Sequence, residues 1–198
     1  MATMAVRDQI LRGAQKLFQE KGLGKISMED VARHIGKGKS TLYYYFKSKD
    51  ELFSAVMDME IDEIIRETIR QLNSCNSFQE KLETFGKVKF EMIRRRKTLY
   101  TTMENRMGAE ERLQYTLIKK NVHAGYVQKE KLVLLQVFLE AIANKQIRAF
   151  HGEQLDTIIL VFLAALRGVN REILVHGQTD NTGRLIGTYC ALFRQGLV

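Results

Sequence analysis

Apolar side chains recur every three or four residues along most of the chain, which is the period of an amphipathic α-helix. Glycines and short polar stretches divide this pattern into segments, and each segment predicts one helix. The predicted helices cover about residues 6–21, 28–35, 39–45, 49–72, 77–97, 98–107, 110–144, 152–176 and 180–195. The 110–144 segment predicts one helix or two, because Gly125 can interrupt it. No segment alternates apolar and polar residues as a strand does, so we expect an all-α fold of about nine helices.

Several predicted helix starts carry a serine followed three residues later by an acid. In such a capping box the serine hydroxyl accepts a bond from a backbone amide, and the acid reaches back to the start of the helix. The pairs are Ser27 with Asp30, Ser48 with Glu51, and Ser77 with Glu80. Asp180 is a candidate cap for the last helix.

Composition supports the helical class and a charged partner. The chain of 198 residues contains no proline, the residue that most disrupts helix interiors. Its formal charge of +8 favours a polyanionic partner, although charge alone fixes neither fold nor target. Cys75 and Cys190 match no disulfide or metal spacing, which indicates a reducing compartment.

We expect a cytoplasmic protein that does not enter a membrane. The first residues lack the apolar core of a secretory signal. The most apolar run, residues 158–166, meets Arg167 and is less than half of the roughly 20 residues that a transmembrane helix needs.

The stretch GKGKSTLYYYF covers residues 36–46. Its residues Gly38-Lys39-Ser40 have the same types as the end of a nucleotide-binding P-loop. A P-loop needs a glycine five residues before its Gly-Lys-Ser and a strand leading into the loop. Arg33 occupies the glycine position, and the residues before the turn have a helical period. The P-loop interpretation therefore fails on both requirements.

A helix-turn-helix fits the same stretch better, with one helix before the glycine turn and a recognition helix after it. Leu42 and Phe46 are four residues apart and would pack inward, which leaves most other side chains of this helix facing outward. No acid occurs between Val31 and Lys49, while five basic residues do, and such a face can neutralise DNA phosphates. The basic residues are Arg33, Lys37, Lys39, Lys47 and Lys49.

Residues 10–56 resemble the DNA-binding domain of the TetR-type (tetracycline-repressor-like) transcriptional regulators. The shared features are A..LF.EKG in the first helix, S..D.A...G in the second, and K.TLYYYF.SK..L from the third helix into the fourth. The resemblance implies a three-helix DNA-binding domain over residues 1–50. It also implies a larger helical domain over residues 51–198, which binds a small-molecule effector and forms a homodimer.

By motif position, the resemblance assigns DNA-contacting roles to nine residues. Ser27 and Lys49 would hold phosphates at helix N-termini. The residues that would face or flank the operator are Lys37, Lys39, Ser40, Thr41, Tyr43, Tyr44 and Tyr45. Tyr45 can instead be a core aromatic. Lys37 stands where the family commonly has an apolar residue, and Gly38-Lys39-Ser40 replaces the frequent Ser-Lys-Gly, so the operator sequence of a relative cannot be transferred.

The resemblance beyond residue 75 is one of architecture only. The middle helices are rich in aromatic residues and methionine, most of which we expect in the core. Candidates to line an apolar effector pocket are Phe90, Tyr100, Met103, Met107 and Tyr115. The last two helices carry apolar and small residues suited to close packing, and the resemblance places the dimer interface there.

Enzyme and metal signals are weak. The GxSxG motif is absent because Leu42 follows Gly38-Lys39-Ser40-Thr41, and no Glu-x-x-His pair occurs. The histidines are scattered, at His34, His123, His151 and His176. We therefore expect no metal, no cofactor and no catalysis. The alternatives are a nucleoid-type protein that binds DNA without sequence choice and, less favoured, a helical enzyme.

Overall fold

A computed structural model describes the backbone of residues 2–104, 107–176 and 181–198, and the side chains of residues 5–94, 107–110, 112–174 and 181–198. The described backbone contains eight α-helices and no strand. They are α1 (Ala2–Lys21), α2 (Met28–His34), α3 (Lys39–Tyr45), α4 (Lys49–Leu72), α5 (Phe78–Glu104), α6 (Ala109–Ala143), α7 (Gly152–His176) and α8 (Thr182–Gln195). The expected all-α class is confirmed.

Helix α5 is longer than the sequence pattern predicts, and α6 is one continuous helix. The predicted end of a helix at Lys97 is wrong, because α5 continues to Glu104. The basic run 94–97 suits a helix C-terminus, but arginine and lysine also favour helix interiors. Residues 98–107 contain no glycine or proline that would break the helix. Helix α6 likewise passes through Gly125, where a glycine costs only about 1 kcal/mol relative to alanine.

The three serine caps form with one difference from the expected pattern. Ser27 makes the complete box with Asp30 at the start of α2. Ser48 accepts from the amide of Glu51, but the Glu51 carboxylate accepts from the amide of Lys47, one residue before the serine. The Ser77 box at the start of α5 is displaced in the same way. Asp180 lies outside the described residues.

The chain forms two compact units. The first unit comprises residues 1–63 and 95–126, and the second comprises residues 64–94 and 127–198. Helices α4, α5 and α6 each contribute to both units. Helix α4 begins at Lys49, close to the domain boundary that the sequence predicts near residue 50. The first compact unit continues to residue 63 and also includes residues 95–126.

The core of the first unit holds α1 against α4. The rings of Phe18 and Phe53 meet edge to face with centroids 5.4 Å apart, and Tyr115 lies 5.7 Å from Phe53. Beside them the side-chain amide of Gln15 donates to the buried carboxylate of Glu60 over 2.9 Å. The first helix is thus fixed to α4 by both packing and hydrogen bonding.

The second unit has a core of aromatic and branched side chains from α5, α6, α7 and α8. Phe78 packs edge to face on Phe138 with centroids 5.0 Å apart. Tyr189 stacks on Phe162 and donates its hydroxyl to the Phe162 carbonyl oxygen over 2.9 Å. None of the helices in the described part of the chain is long and apolar enough to span a membrane.

Candidate DNA-binding surface

The turn between α2 and α3 is closed by backbone hydrogen bonds. The amide of Gly36 donates to the Arg33 carbonyl over 3.2 Å, and the amide of Lys37 donates to the Ala32 carbonyl over 2.9 Å. Gly36 has a φ of 66°, the left-handed conformation that glycine adopts without strain. This combination is a Schellman motif, so the direction of the chain leaving α2 is fixed by the backbone.

Helix α3 is anchored on one face and open on the other. Leu42 is fully buried and Phe46 is 2% exposed, as their four-residue spacing predicts. The opposite face presents Lys39, Ser40 and Tyr44, all exposed, with Tyr44 72% accessible. Two buried side chains therefore hold a seven-residue helix whose outer face is free for a partner.

The lysines expected to meet phosphates differ in their present partners. Lys37 and Lys47 are exposed, and the Lys47 ammonium donates to the Tyr43 carbonyl over 3.3 Å. Lys39 forms an ion pair with Glu29, in the first turn of α2, and its Nζ lies 5.6 Å from the centre of the Tyr43 ring. The hydrogen bond between the Lys39 ammonium and the Glu29 carboxylate raises the pKa of Lys39 and lowers the pKa of Glu29.

Ser27 and Lys49 already have structural partners. The Ser27 hydroxyl donates to the Asp30 carboxylate over 2.6 Å, and this bond lowers the pKa of Asp30. The same hydroxyl accepts a bond from the Asp30 amide. The Lys49 ammonium donates to the Leu23 carbonyl over 3.2 Å, in the loop between α1 and α2. An ammonium has three donors, so this bond leaves Lys49 able to reach a phosphate as well.

The three consecutive tyrosines have different environments. Tyr44 is exposed, whereas Tyr43, Tyr45 and Thr41 are half-buried. The rings of Tyr44 and Tyr45 meet edge to face with centroids 5.0 Å apart. Tyr45 therefore supports the ring of Tyr44 and is neither a core residue nor a fully open one.

The sequence pattern missed the acids of this surface. The absence of acids from Val31 to Lys49 suggested an uncompensated basic face, but Glu29 and Asp30 lie just before that interval. Glu29 pairs with Lys39, and Asp30 lies 3.9 Å from the guanidinium of Arg33. A helix start rich in acids was a usable signal, because the first turn of α2 lies next to the turn that leads into α3.

The described candidates for the effector pocket belong to both compact units. Phe90 is buried in the core of the second unit. Met107 and Tyr115 are buried in the first unit. The side chains of Tyr100 and Met103 lie outside the described residues. Within the described residues, no group of three or more histidine, cysteine or acidic side chains could hold a metal ion.

Residues 10–56, which contain α2, the turn and α3, match the family model described as bacterial regulatory proteins of the tetR family. Within this segment the chain is similar to the TetR-type regulators. A transcriptional regulator of the helix-turn-helix type from Staphylococcus aureus USA300 is 41% identical to the chain over 56 residues. The helix-turn-helix transcriptional activator FasR of Mycolicibacterium smegmatis is 28% identical over 87 residues. These two matches span 28% and 44% of this chain, and 30% and 40% of the length of the respective relatives.

Solved structures of other regulators match the fold of this chain over nearly its whole length. A transcriptional regulator from Cytophaga hutchinsonii matches with a TM-score of 0.67 and 22% identity, over 96% of this chain and 97% of that chain. The flavonoid-responsive regulator FrrA matches with a TM-score of 0.63 and 21% identity, over 96% and 95% of the two chains. FadR of Bacillus subtilis, solved with stearoyl-CoA, has a TM-score of 0.58 and 18% identity, over 96% and 98%. At these identities the likeness is one of fold.

Proposed function

We propose that this protein is a sequence-specific DNA-binding transcriptional regulator that reads its operator with α3. The observation that carries the proposal is the outer face of α3, where Lys39, Ser40 and Tyr44 are exposed on a helix held by Leu42 and by the Schellman turn. A short rigid helix with polar side chains at its N-terminal end suits the major groove.

Each side chain of this surface has a role that follows from its chemistry. Lys37 and Lys39 are placed to neutralise phosphates beside the groove, which positions the helix without reading sequence. Ser40 and Thr41 offer hydroxyls to base edges or phosphates, and Tyr44 presents a ring that can contact a thymine methyl group. Ser27 and Lys49 hold phosphates at the starts of α2 and α4, and Tyr43 and Tyr45 support the reading surface.

The domain over residues 51–198 supplies the dimer interface and the effector site in this proposal. Helices α7 and α8 carry exposed apolar residues alongside exposed small ones, the composition of a surface that packs closely on another. They are Leu160, Val161, Ala164, Ala165, Gly168, Leu185 and Leu192. A twofold dimer would present two α3 helices to half-sites about one DNA turn apart, so the operator is pseudo-palindromic.

Effector control follows from what the relatives' names say of them. FrrA is flavonoid-responsive, and FadR is solved with stearoyl-CoA. We infer that this protein is likewise a cytoplasmic repressor that a small organic molecule releases from DNA. Domain 1–50 contacts the operator, and domain 51–198 binds the effector and forms the dimer.

The test compares binding to the DNA upstream of the protein's own gene with binding to a random duplex at physiological salt. Specific binding should be at least about a hundredfold tighter than binding to the random duplex. Equal affinities would identify a nucleoid-type protein and overturn the regulator proposal.

Lys39→Ala and Tyr44→Ala should each weaken operator binding by about five- to a hundredfold. Lys87→Ala, an exposed lysine of α5 in the second unit, is the matched control and should change little.

The same variants separate DNA reading from assembly. If Lys39 contacts one phosphate, Lys39→Ala should make the slope of log K for DNA binding against log salt concentration shallower by about 0.9. Sedimentation of Lys39→Ala and Tyr44→Ala should still give the dimer, whereas Leu192→Asp should give monomers. A variant of α3 that lost the dimer together with DNA binding would contradict the proposed division between the two domains.

A further inference from the structure

The interior of the second unit contains a polar cluster that no motif of the sequence predicts. It consists of Lys89 on α5, Glu130 on α6, and Arg167 and Asn170 on α7. The side chains of Lys89 and Glu130 are 3% and 2% exposed and form an ion pair. Asn170 is 1% exposed. Burying this many polar groups is unfavourable unless each of them finds a partner.

Three members of the cluster occupy positions that continue apolar stripes. Lys89 follows buried Phe85 by four residues on α5, and Glu130 precedes buried Leu134 by four residues on α6. Asn170 follows buried Leu166 by four residues on α7. Residues four apart lie on one face of a helix. The three polar side chains therefore replace core residues at the points where three helices face the same interior.

Arg167 belongs to the same group. Burial lowers the pKa of the Lys89 ammonium, Glu130 opposes that effect, and the positive charge of Arg167 adds to it. Arg167 precedes Asn170 by three residues, so both lie on the same side of α7. The Nη1 atom of Arg167 is buried. Helices α5 and α7 also pack closely one turn away, where a Cβ at Gly86 would be 3.4 Å from a Leu166 methyl group.

Hydrogen bonds within the described residues leave this cluster incomplete. The buried atoms without a partner there include Glu130 Oε2, Arg167 Nη1, and both Nδ2 and Oδ1 of Asn170. Arg167 Nη1 and Asn170 Nδ2 are donors, and Glu130 Oε2 and Asn170 Oδ1 are acceptors. Two unmet donors and two unmet acceptors therefore lie in the interior of the second unit, one of them on α6 and the other three on α7.

Charge narrows the class of molecule that complements this set. Among these four side chains, the Lys89–Glu130 ion pair is neutral as a whole, and Arg167 adds one positive charge. A singly charged anion balances that charge, whereas a phosphate dianion would leave an excess negative charge and a neutral ligand would leave the positive one. The two donors suit the oxygens of a carboxylate. The two acceptors require a hydroxyl or N–H donor on the same molecule.

We propose that Glu130, Arg167 and Asn170 bind the head of a hydroxy-carboxylate or a similar N–H-bearing carboxylate, and that this molecule is the effector. Arg167 and the Asn170 amide nitrogen donate to the carboxylate. Glu130 Oε2 and the Asn170 amide oxygen accept from the hydroxyl. Lys89 holds Glu130 in place as a positioning residue. The effector role rests on the proposed function as a regulator, whereas the binding site itself does not.

Isothermal titration of the full-length protein tests the site without DNA. The probes are 3-hydroxydecanoate and salicylate, which join the same head chemistry to different apolar bodies, together with their methyl esters and decanoate. At least one of the two hydroxy-carboxylates should bind. Its methyl ester should bind at least tenfold more weakly, because the ester lacks the charge that Arg167 matches. Decanoate, which lacks the hydroxyl, should bind more weakly than 3-hydroxydecanoate.

Two variants make the charge argument specific. Arg167→Gln and Asn170→Asp each remove the excess positive charge, so each should lower affinity for the carboxylate at least tenfold and abolish its preference over the ester. Arg171→Gln, an exposed neighbour on α7, is the matched control and should leave affinity unchanged. Circular dichroism checks that each variant is folded, and Asn170→Asp is the closest in shape to the native residue.

Three results would overturn the proposal. They are no binding of either hydroxy-carboxylate, an ester that binds as tightly as its acid, or folded Arg167→Gln and Asn170→Asp variants with native affinity. Operator binding measured with and without probe then separates the claims. Specific DNA binding without probe binding would overturn the proposed carboxylate site and leave the regulator proposal standing. Probe binding without specific DNA binding would overturn the regulator proposal and leave the carboxylate site standing. If the probe binds and operator affinity does not change, the effector role alone is overturned.

Discussion

Gly86 of α5 lies directly against Ile186 of α8, so that a Cβ atom at position 86 would come within 2.6 Å of the Ile186 Cγ2 atom. A Cβ there would also be 3.4 Å from a Leu166 methyl group. Ile186 and Leu166 are both fully buried and have little room to move. The glycine thus allows three helices of the second unit to meet closely.

We predict that Gly86→Ala destabilises the protein. Overpacking of this kind costs about 1–3 kcal/mol, which exceeds the roughly 1 kcal/mol that alanine gains over glycine in a helix. Urea denaturation measures the change. Gly125→Ala in α6 is the control, because position 125 is exposed and its new Cβ would meet nothing within 4 Å. Gly125→Ala should stabilise by about 0.5–1 kcal/mol, and a Gly86→Ala variant equally stabilised would disprove the close approach.

Glu29→Gln should strengthen operator binding. Glu29 pairs with Lys39 in the free protein, and DNA phosphates must compete with that carboxylate for the ammonium. We expect a gain of roughly two- to fivefold at low salt, the scale of an exposed ion pair, and a smaller gain at high salt because of screening. Fluorescence anisotropy of labelled operator measures the effect. Glu153→Gln makes the same change of net charge in the second unit and should not reproduce the gain.

Ser27→Ala should destabilise the first unit because it removes the capping box of α2. The expected loss is about 0.5–2 kcal/mol, whereas Ser27→Thr should keep most of the stability since threonine is also a good cap. Chemical denaturation compares the two variants. Equal losses in both would show that the cap contributes little. Operator binding by folded Ser27→Thr then reports on the phosphate-binding role separately.

The two cysteines should differ in reactivity. Burial raises the pKa of the Cys190 thiol to about 12, so it carries almost no thiolate at pH 8. Cys75 is half-buried near the end of α4, and its thiol contacts the Gln71 carbonyl over 3.5 Å. A thiol reagent should therefore label one cysteine per folded chain, at position 75, and both after unfolding. Rapid labelling of Cys190 in the folded protein would contradict its burial.

The raised pKa of Cys190 also fixes the sign of a pH effect. Between pH 9 and about 12 the unfolded chain loses the Cys190 proton while the folded chain keeps it. Stability should therefore fall as the pH rises through this interval. Cys190→Ala should make the decline shallower. Thermal unfolding at pH 8, 9 and 10 measures the difference, and an unchanged slope in Cys190→Ala would exclude this thiol as a cause.

The features that could be predicted from the sequence are those that depend on local spacing. The inward positions of Leu42 and Phe46, the serine caps and the glycine turn each follow from residues within one or two helical turns of each other. The length of α5 was misjudged because a basic run suits both the end and the interior of a helix.

The features that could not be predicted depend on residues far apart in the chain. Lys39 meets Glu29 only because the turn brings the start of α3 back to the start of α2. Lys89 and Glu130 are separated by 41 residues and meet only in the folded second unit. Each interrupts an apolar stripe, which was a visible signal, but periodicity alone cannot show that two such interruptions face each other.

Helix α4 has a consequence for how such proteins can exchange parts. The match to the family model ends at residue 56, inside a helix that runs from Lys49 to Leu72. A recombination that joins residues 1–56 to the later part of another protein of this fold must therefore join two parts of one helix. The joined parts must keep the rotational register of that helix. One inserted residue would turn every later side chain of the helix by about 100°. The same shift would move Glu60 away from Gln15 and break their hydrogen bond. A recombinant protein therefore keeps this contact only if its junction preserves the register of the helix.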